Sequence, residues 1–369
     1  MNPSAADPLA SSPNPALPAR QIAVIGAGIA GVSCALQLAR AGLRVTLLDK
    51  SRGWGGRMAT RRTEFGGFDH GAQYFTVRDA RFERALAAHP GLVQPWTPET
   101  MRVLDQEGLA LTPSPVPLEQ HWVAVPGMND LARELGQPLA DGSLGAQVLL
   151  GTRVARIERD AIHPDQWQLR CETGAGAEGA QQVLGGFDQV VLAVPQPQAQ
   201  ELLQASQLAP ALQQAIAGVE IAPCWTLMLA FPQAMQPGLD QFGPQWHAAR
   251  SQHHRVRWLA RESSKPGRGS IERWTVQASP EWSAEHVQDD AERVKAKLLK
   301  GFAEITGIHA EPSHAAVHRW LYAQTRKPLG QPFLADAGLG LALCGDWCLG
   351  HRIEDGFVSG LELGLHLAP

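Results

Sequence analysis

The clearest hydrophobic pattern lies near the start of the chain and predicts a strand, a turn, a helix and a second strand. Residues 21–25, QIAVI, form a short apolar run rich in β-branched side chains, as expected of a strand covered on both faces. The sequence GAGIAG follows at 26–31, and apolar residues then recur at helical spacing as far as Leu36. Another apolar run at 43–48 predicts the next strand, which ends at Asp49.

The glycines and the acid of this unit have the spacing that a bound dinucleotide requires. Gly26 permits a tight turn, Gly28 lets the backbone approach a pyrophosphate, and Gly31 lets the helix pack closely on the strand. The pyrophosphate is expected at the positive end of the helix. Asp49 is expected to bind ribose hydroxyls. The pattern predicts a Rossmann-type domain that binds NAD or FAD. Ile29, Ala30 and Lys50 are also expected to contact the dinucleotide.

A second group of glycines follows the second strand. Residues 52–58 read RGWGGRM, and clustered glycines let a backbone lie close to a ligand. Arg57 supplies a guanidinium that can bind phosphate oxygens in a forked geometry. With its neighbours Gly56 and Met58, it resembles the second glycine motif of amine-oxidase-type flavoproteins, which favours FAD over NAD.

The end of the chain predicts the other half of an FAD site. An apolar strand at 341–344 leads into Gly345 and Asp346. Apolar residues then recur every four positions from Ile353 through Phe357, which predicts a helix beginning near Arg352. Asp346 would accept a hydrogen bond from a ribityl hydroxyl. The positive end of the helix would face the isoalloxazine ring and stabilise negative charge there.

The pattern of the remaining chain completes a two-domain α/β organisation. Alternating residues at 153–157 and 167–169 predict a hairpin, and 190–194 predicts a buried strand closed by Pro195. Residues 283–303 predict one amphipathic helix capped by Ser283. We predict a Rossmann-type FAD-binding domain from 21–77, 122–195 and 333–369, and a substrate domain with a mixed or antiparallel β-sheet from 78–121 and 196–332.

Composition excludes several other classes of protein. The 32 basic and 36 acidic residues give a net charge of −4, which offers no basic surface for nucleic acid. The 44% hydrophobic and 18% charged residues exclude a disordered chain. Five scattered cysteines without a CxxC pair favour a reducing compartment over a zinc site. Residues 1–20 contain five prolines and predict a disordered tail rather than a signal peptide, so we expect a cytoplasmic protein without a membrane span.

Longer motifs carry a more specific resemblance. The segments are FDHGAQYFT at 68–76, HRWLYA at 318–323 and CGDWCLGHRIEDGFVSG at 344–360, together with RGWGGRM; shorter matches include WVAVPGM at 122–128, PCWTLMLAF at 223–231, WLAR at 258–261 and SKPGR at 264–268. In these motifs the chain resembles the bacterial renalase family from about residue 22 to about residue 367.

The resemblance implies an FAD-dependent oxidase with a fold similar to p-hydroxybenzoate hydroxylase and monoamine oxidase. Such enzymes take hydride from the 2- and 6-dihydro isomers of NAD(P), release β-NAD(P)+ and pass electrons to O₂, giving H₂O₂. Hydride goes directly to the flavin, so no catalytic acid or base is expected. The family binds FAD noncovalently, which disfavours the covalent histidyl–flavin bond that His70 otherwise suggests.

The resemblance also implies which residues surround the flavin. The segment Gly71, Ala72, Gln73 and Tyr74 is expected to contact FAD, and the backbone at Val154 its adenine end. The residues expected to face the substrate are Tyr74, Phe75, Trp225, Trp320 and Tyr322.

Three alternatives stay open at this point. An FAD amine oxidase usually sets two aromatic rings before the flavin and a lysine near its N5 atom. This chain has only two tyrosines and reads APCW, without lysine, at 222–225. The chain could also bind flavin without turnover. An NAD-dependent dehydrogenase is disfavoured by the second glycine motif. The choice between NAD and NADP isomers and the oligomeric state are left open.

Overall fold

The computed structural model describes residues 19–96, 101–111, 119–173, 180–235 and 242–369. The predicted tail, apart from residues 19 and 20, lies outside these ranges. The strands are β1 (Gln21–Ile25), β2 (Arg44–Asp49), β3 (Thr60–Thr63), β4 (Gly66–Asp69), β5 (Val93–Trp96), β6 (Met101–Leu104), β7 (His121–Ala124), β8 (Gln147–Leu150), β9 (Thr152–Arg159), β10 (Trp167–Thr173), β11 (Ala180–Phe187), β12 (Gln189–Leu192), β13 (Glu220–Phe231), β14 (Ala248–Ser251), β15 (Val256–Arg261), β16 (Glu272–Ala278), β17 (His314–Lys327), β18 (Phe333–Asp336) and β19 (Leu341–Cys344). The helices are α1 (Ile29–Arg40), α2 (Ala80–Ala87), α3 (Met128–Ala140), α4 (Gln196–Ser206), α5 (Pro210–Ile216), α6 (Pro280–Glu285), α7 (Ala291–Thr306), α8 (Asp346–Leu349) and α9 (Ile353–Leu367).

A six-stranded sheet with the order β18-β19-β12-β1-β2-β8 forms the nucleotide-binding half. All its pairings are parallel except that of β18 with β19. The central strand β1 alternates its contacts: Ile22 and Val24 pack toward α1, α3 and α9, whereas Ala23 and Ile25 pack toward β9–β11 and helices α4 and α5. Burial on both faces explains why this strand reads as a continuous apolar run.

A second six-stranded sheet has the order β17-β13-β16-β15-β14-β6 and is antiparallel apart from the β14–β6 pair. We call the side that carries Leu227 and Leu229 its outer face, and this face packs on α6 and α7. The opposite, inner face contacts the segment after β4; Trp258 and Ala260 belong to it and share a core with the nucleotide half. The predicted α/β fold class, with a Rossmann-type domain and a mixed sheet, is confirmed.

The strands of the two six-stranded sheets come from the chain segments assigned to the two predicted domains, whereas β5 and β7 pair across that division. Helices α4 and α5 pack with β9 in a core of the nucleotide half, and α2 packs on α9 through Phe82 and Phe357. The division into domains stays a prediction. In the described part of the chain, no helix is long and apolar enough to cross a membrane.

The single helix predicted over 283–303 is wrong, because the chain breaks between α6 and α7. Ser279 caps α6 by accepting a hydrogen bond from Trp282 N, and Asp290 caps α7 by accepting from Glu292 N and Arg293 N. The Asp290 cap starts a new helix despite the continuous apolar spacing. Ser283 caps neither helix; its hydroxyl accepts a hydrogen bond from Trp225 N.

Candidate active site

The two glycine motifs face each other across the carboxyl end of β1. Gly55 N donates to Ala27 O at 3.0 Å, which fixes the second motif beside the first. A Cβ added at Gly56 would stand 3.8 Å from Gly28 Cα, and no described atom lies within 4 Å of a Cβ added at Gly28. We call this space between residues 26–31 and 53–58 the cradle. Its walls are bare backbone, as close approach by a pyrophosphate requires.

The cradle opens onto the first turn of α1. Gly28 is the N-cap and provides no side-chain cap, and the first turn contains no acidic residue. The N–H groups of this turn, which includes Ile29 and Ala30, are therefore directed at a place suited to an anion. Gly26 makes the turn possible: its φ is +115°, and a Cβ there would overlap Ala193 O.

Asp49 lies at the end of β2 beside the cradle. Its carboxylate accepts hydrogen bonds from Ala27 N and Ser51 N, each at 2.7 Å. Ser51 O in turn accepts from Gly151 N at 2.9 Å, which brings the start of β9 and the buried Val154 to the same end of the sheet. Lys50 is exposed. The ribose and adenine contacts of these residues stay predictions.

Arg57 and Asp346 join the two ends of the chain at the cradle. The guanidinium Nη1 and Nη2 atoms lie 3.0 Å and 2.5 Å from the two carboxylate oxygens of Asp346. Gly345 N donates to Ser359 Oγ at 2.9 Å, which ties the strand end to α9. Helix α9 begins at Ile353 after the exposed Arg352, as predicted, while Ile353, Phe357 and Met58 are buried beside the pair.

Residues 71–74 form the side of the cradle that faces the second sheet. Ala72 N donates to Arg57 O at 2.9 Å, and a Cβ at Gly71 would overlap that same oxygen. Gly71 O accepts from Gln277 Nε2 of β16 at 2.7 Å. The side chain of Gln73 turns inward, is 5% exposed and donates to Asp69 O and Gly71 O.

The inner face carries aromatic residues on both sides of this segment. Trp320 stacks on His70 with ring centroids 5.2 Å apart and donates from Nε1 to His70 O at 2.9 Å. Tyr322, two residues further along β17, is half-buried and lies at an irregularity in the pairing of β17 with β13. The structure thus brings Gly71 and Trp320 together, and the substrate contact of Tyr322 stays a prediction.

Tyr74 lies in a separate aromatic group, which we call the Tyr74 cluster (Tyr74, Trp96, His121 and Trp258). Its ring stacks on His121 at 3.8 Å and lies 5.4 Å from Trp258. The exposed Arg250 of β14 donates from Nη2 to the Tyr74 hydroxyl at 3.1 Å. Burial first, and then this guanidinium, lower the pKa of His121 to about 4, so the imidazole is neutral at pH 7.

Two residues expected to face the substrate lie elsewhere. Cys224 pairs with Trp320, so the neighbouring Trp225 points to the outer face, where its Nε1 donates to His286 O at 3.0 Å. Phe75 packs against Phe82 in the core of the nucleotide half, 3% exposed. The alternation of β13 thus turns Trp225 to the outer face, and Phe75 lies in a core; a substrate contact at either residue stays a prediction.

Sequence reasoning missed a buried ion cluster (Asp69, Glu262, Lys265 and Arg268) behind residues 71–74. Lys265 Nζ donates to Asp69 Oδ2 at 3.2 Å and to Glu262 Oε1 at 3.0 Å, and all three side chains are 0% exposed. Arg268 Nη2 donates to Asp69 Oδ2 at 2.7 Å. Burial would raise the pKa of Asp69, but Lys265 and Arg268 outweigh it and lower the pKa to about 2.

Family comparison agrees with this geometry. Residues 101–362, well over half of the chain, match the family of flavin-containing amine oxidoreductases, and residues 24–88 match an NAD(P)-binding Rossmann-like domain. The chain belongs to the flavin-containing amine oxidoreductase family. It is an FAD-dependent oxidoreductase.

Solved structures of this flavin oxidoreductase fold superpose on nearly the whole chain. A protein described as a protoporphyrinogen oxidase from Exiguobacterium sp. 255-15 gives a TM-score of 0.71 at 15% identity, covering 95% of this chain and 98% of its own. Cyclohexylamine oxidase from Brevibacterium oxydans gives 0.69 at 12% identity, covering 95% and 99%. At these identities the likeness shows the fold alone.

Curated relatives share shorter stretches with this flavin oxidoreductase. A bifunctional protein of tRNA 5-methylaminomethyl-2-thiouridine biosynthesis from Magnetococcus marinus is 29% identical over 219 residues, which is 50% of this chain and 31% of the relative. Hydroxyneurosporene desaturase from Cereibacter sphaeroides is 42% identical over 59 residues, 16% of this chain and 12% of the relative. The chain thus spans less than a third of the length of either curated relative.

The residues present fit FAD. The open space at Gly28, the uncapped first turn of α1 and the carboxylate of Asp49 form a cradle suited to a diphosphate and a ribose. Arg57 and Asp346 offer a donor for phosphate and an acceptor for a ribityl hydroxyl.

The contact of Gln277 with Gly71 could not be predicted from the local sequence, because only the pairing of β16 with β13 brings the two residues together.

Proposed function

We propose that this flavin oxidoreductase oxidises the 2- or 6-dihydro isomers of NAD(P) to β-NAD(P)+, with O₂ as the final acceptor and H₂O₂ as the product. Bound FAD, held noncovalently, supplies the hydride acceptor and returns the electrons to O₂. The motif resemblance to the renalase family supports this substrate class. The observation that carries it in the structure is the guanidinium of Arg250 on Tyr74.

Arg250 gives the Tyr74 cluster a positive charge that suits a phosphate-bearing substrate. His121 adds no charge at pH 7, because burial and Arg250 lower its pKa to about 4. The nearby carboxylate of Glu119 is engaged by Arg78, whose Nε and Nη2 lie 2.6 Å and 2.8 Å from its two oxygens. A guanidinium attracts and hydrogen-bonds phosphate oxygens, whereas it repels an ammonium group.

The residues of this chain are arranged for orientation rather than for proton transfer. A dihydropyridine already carries the hydride that it donates, so its oxidation needs close positioning and exclusion of water. Trp320 and the Gly71 backbone provide an apolar and planar environment at the inner face, and Tyr322 lies two residues from Trp320 on β17. Burial, and to a lesser extent neighbouring groups that include Arg61, lower the pKa of His70 and His318 to about 4, so both imidazoles are neutral at pH 7.

Amine oxidation is the second candidate function. The family and the cyclohexylamine oxidase fold favour it. An amine must be held as a cation or lose its proton before oxidation, and Arg250 opposes the first of these.

Four of the five cysteines are buried, and all are free, which supports a cytoplasmic location as part of the proposal.

Anaerobic rapid mixing of the FAD-loaded protein with 6-dihydro-NAD, ordinary NADH and benzylamine tests the proposal. We expect fast bleaching of the oxidised flavin band by 6-dihydro-NAD alone, and H₂O₂ when air is admitted. Bleaching by benzylamine alone would establish the amine oxidase. No bleaching by any of the three would contradict both candidate functions.

The substitution Arg250→Gln tests the observation that carries the proposal. The half-saturating concentration of 6-dihydro-NAD should rise about ten-fold, the loss of one charge-assisted contact, while the limiting rate of bleaching changes little. Arg257→Gln is the matched control, because it removes another exposed arginine of the same sheet, at the position on β15 before Trp258. Equal effects of the two substitutions would contradict a phosphate contact at Arg250.

A further inference from the structure

The motif SKPGR at 264–268 contributes Lys265 to the buried ion cluster, and the geometry points to Lys265 as a positioning residue for the flavin-facing segment 71–74. The inference goes beyond the proposed function and does not depend on the substrate. It depends only on this chain's binding of FAD at the cradle.

Lys265 fixes the side-chain amide of Gln73. Its Nζ donates to Gln73 Oε1 at 3.2 Å, and the amide nitrogen of Gln73 donates to Asp69 O and Gly71 O. An ammonium group only donates hydrogen bonds, so the amide oxygen must face Lys265 and the amide nitrogen must face the two carbonyls. A flipped amide would put donor against donor and acceptor against acceptor.

The amide of Gln73 in turn fixes the backbone of the cradle wall. It binds Asp69 O, two residues before the segment, and the carbonyl of Gly71, which also accepts from Gln277 at 2.7 Å. The next amide, Ala72 N, donates to Arg57 O in the second glycine motif. The chain of contacts therefore runs from Lys265 through Gln73 to the backbone against which the flavin would lie.

The contacts of the buried ion cluster hold the ammonium group of Lys265 in place. Its three Nζ donors meet three acceptors, on Asp69, Gln73 and Glu262. Asp69 is itself held by Thr60 Oγ1 at 2.6 Å and by Met128 N at 3.0 Å, and Glu262 by Thr275 Oγ1 at 2.7 Å. Burying a charged side chain costs free energy even when the charge is paired. The stability of the fold therefore gives no reason by itself for a lysine at this position.

The test compares Lys265→Met, Gln73→Met and the double variant, each loaded with FAD. We expect both single variants to weaken FAD binding about ten-fold. At a fixed solution potential, both should also change the ratio of reduced to oxidised flavin about ten-fold, in the same direction. Ten-fold corresponds to about 30 mV for a two-electron couple. The double variant should move no further than Lys265→Met, because the two residues act in series.

Lys297→Met is the matched control. Lys297 also binds a carboxylate, Asp289, at 3.3 Å, but on α7 behind the outer face. It should lower the melting temperature without changing the flavin spectrum or the reduced-to-oxidised ratio. A shift in Lys265→Met with none in Gln73→Met would overturn the inference, because Lys265 would then act by charge alone. Should Lys265→Met fail to fold, unchanged FAD affinity and ratio in Gln73→Met would overturn it equally.

Discussion

The second sheet has two faces of opposite character. The outer face is apolar, and Trp225, Leu227 and Leu229 pack there with the side chains of α7. The inner face carries Gln277 and Trp320, whose side chains donate to backbone carbonyls of the nucleotide half, and Thr275, whose hydroxyl donates to Glu262 of the buried ion cluster. The outer face therefore stabilises the fold, and the inner face lies where it can contact the FAD that the cradle would bind.

The largest expected effect separates the two faces at a single position. Trp225→Ala should destabilise the protein by about 3 to 5 kcal/mol, the usual cost of removing a buried tryptophan. Trp225 is 4% exposed on the outer face, so the rate of flavin bleaching in protein that stays folded should not change. Thermal unfolding and rapid mixing measure the two quantities. A large fall in rate would return Trp225 to the substrate site.

The next prediction tests whether the cradle opposite the inner face binds FAD. Asp346→Ala should weaken FAD binding about a hundred-fold, about 2.8 kcal/mol, since it removes the bidentate partner of Arg57 and an acceptor for the cofactor. Fluorescence titration of the apoprotein with FAD measures this affinity. Glu362→Ala is the control, because this α9 carboxylate pairs with Arg81 instead. Unchanged affinity in Asp346→Ala would refute the assignment of the carboxyl-terminal motif.

How much of this could be predicted from sequence depends on whether the signal is local. The cradle could be predicted, because strand, glycines, helix and acid follow one another within 29 residues, from Gln21 to Asp49. The place of Trp225 on the outer face could not, since its hydrogen-bond partner, His286 O, lies 61 positions further along the chain and only the folded sheet brings the two together. Lys265 and Gln73 meet across 192 positions of sequence, and no local pattern predicts such a contact.

Acid should destabilise the protein through histidines at the inner face and the Tyr74 cluster. Burial, assisted by neighbouring cations, lowers the pKa of His70, His121 and His318 to about 4 from 6.5. The unfolded chain binds these protons below about pH 6.5 and the folded chain only near pH 4, so stability is lost as the pH falls between those values.

His121 offers the cleanest test of this acid effect. His121→Phe keeps a ring against Tyr74 and should recover about 1 to 2 kcal/mol of the loss between pH 7 and pH 5. His163→Phe removes an exposed histidine and should leave the loss unchanged. Unfolding midpoints at several pH values measure both variants; equal pH dependence in the two would show that the acid effect arises elsewhere.

The smallest expected effect concerns Tyr322, which lies two residues from Trp320 on β17. Tyr322→Phe keeps the ring and removes only the hydroxyl, worth about 1 kcal/mol or less if it orients the substrate, so bleaching should slow by at most about five-fold. FAD content should not change, because Tyr322 lies on β17 and the cradle is built from residues 26–31 and 53–58. Leu321→Ala, at the neighbouring exposed position, is the control. Equal rates of bleaching in Tyr322→Phe and Leu321→Ala would show that the Tyr322 hydroxyl does not orient the substrate. Trp320 would then remain the aromatic residue of β17 that acts at the inner face.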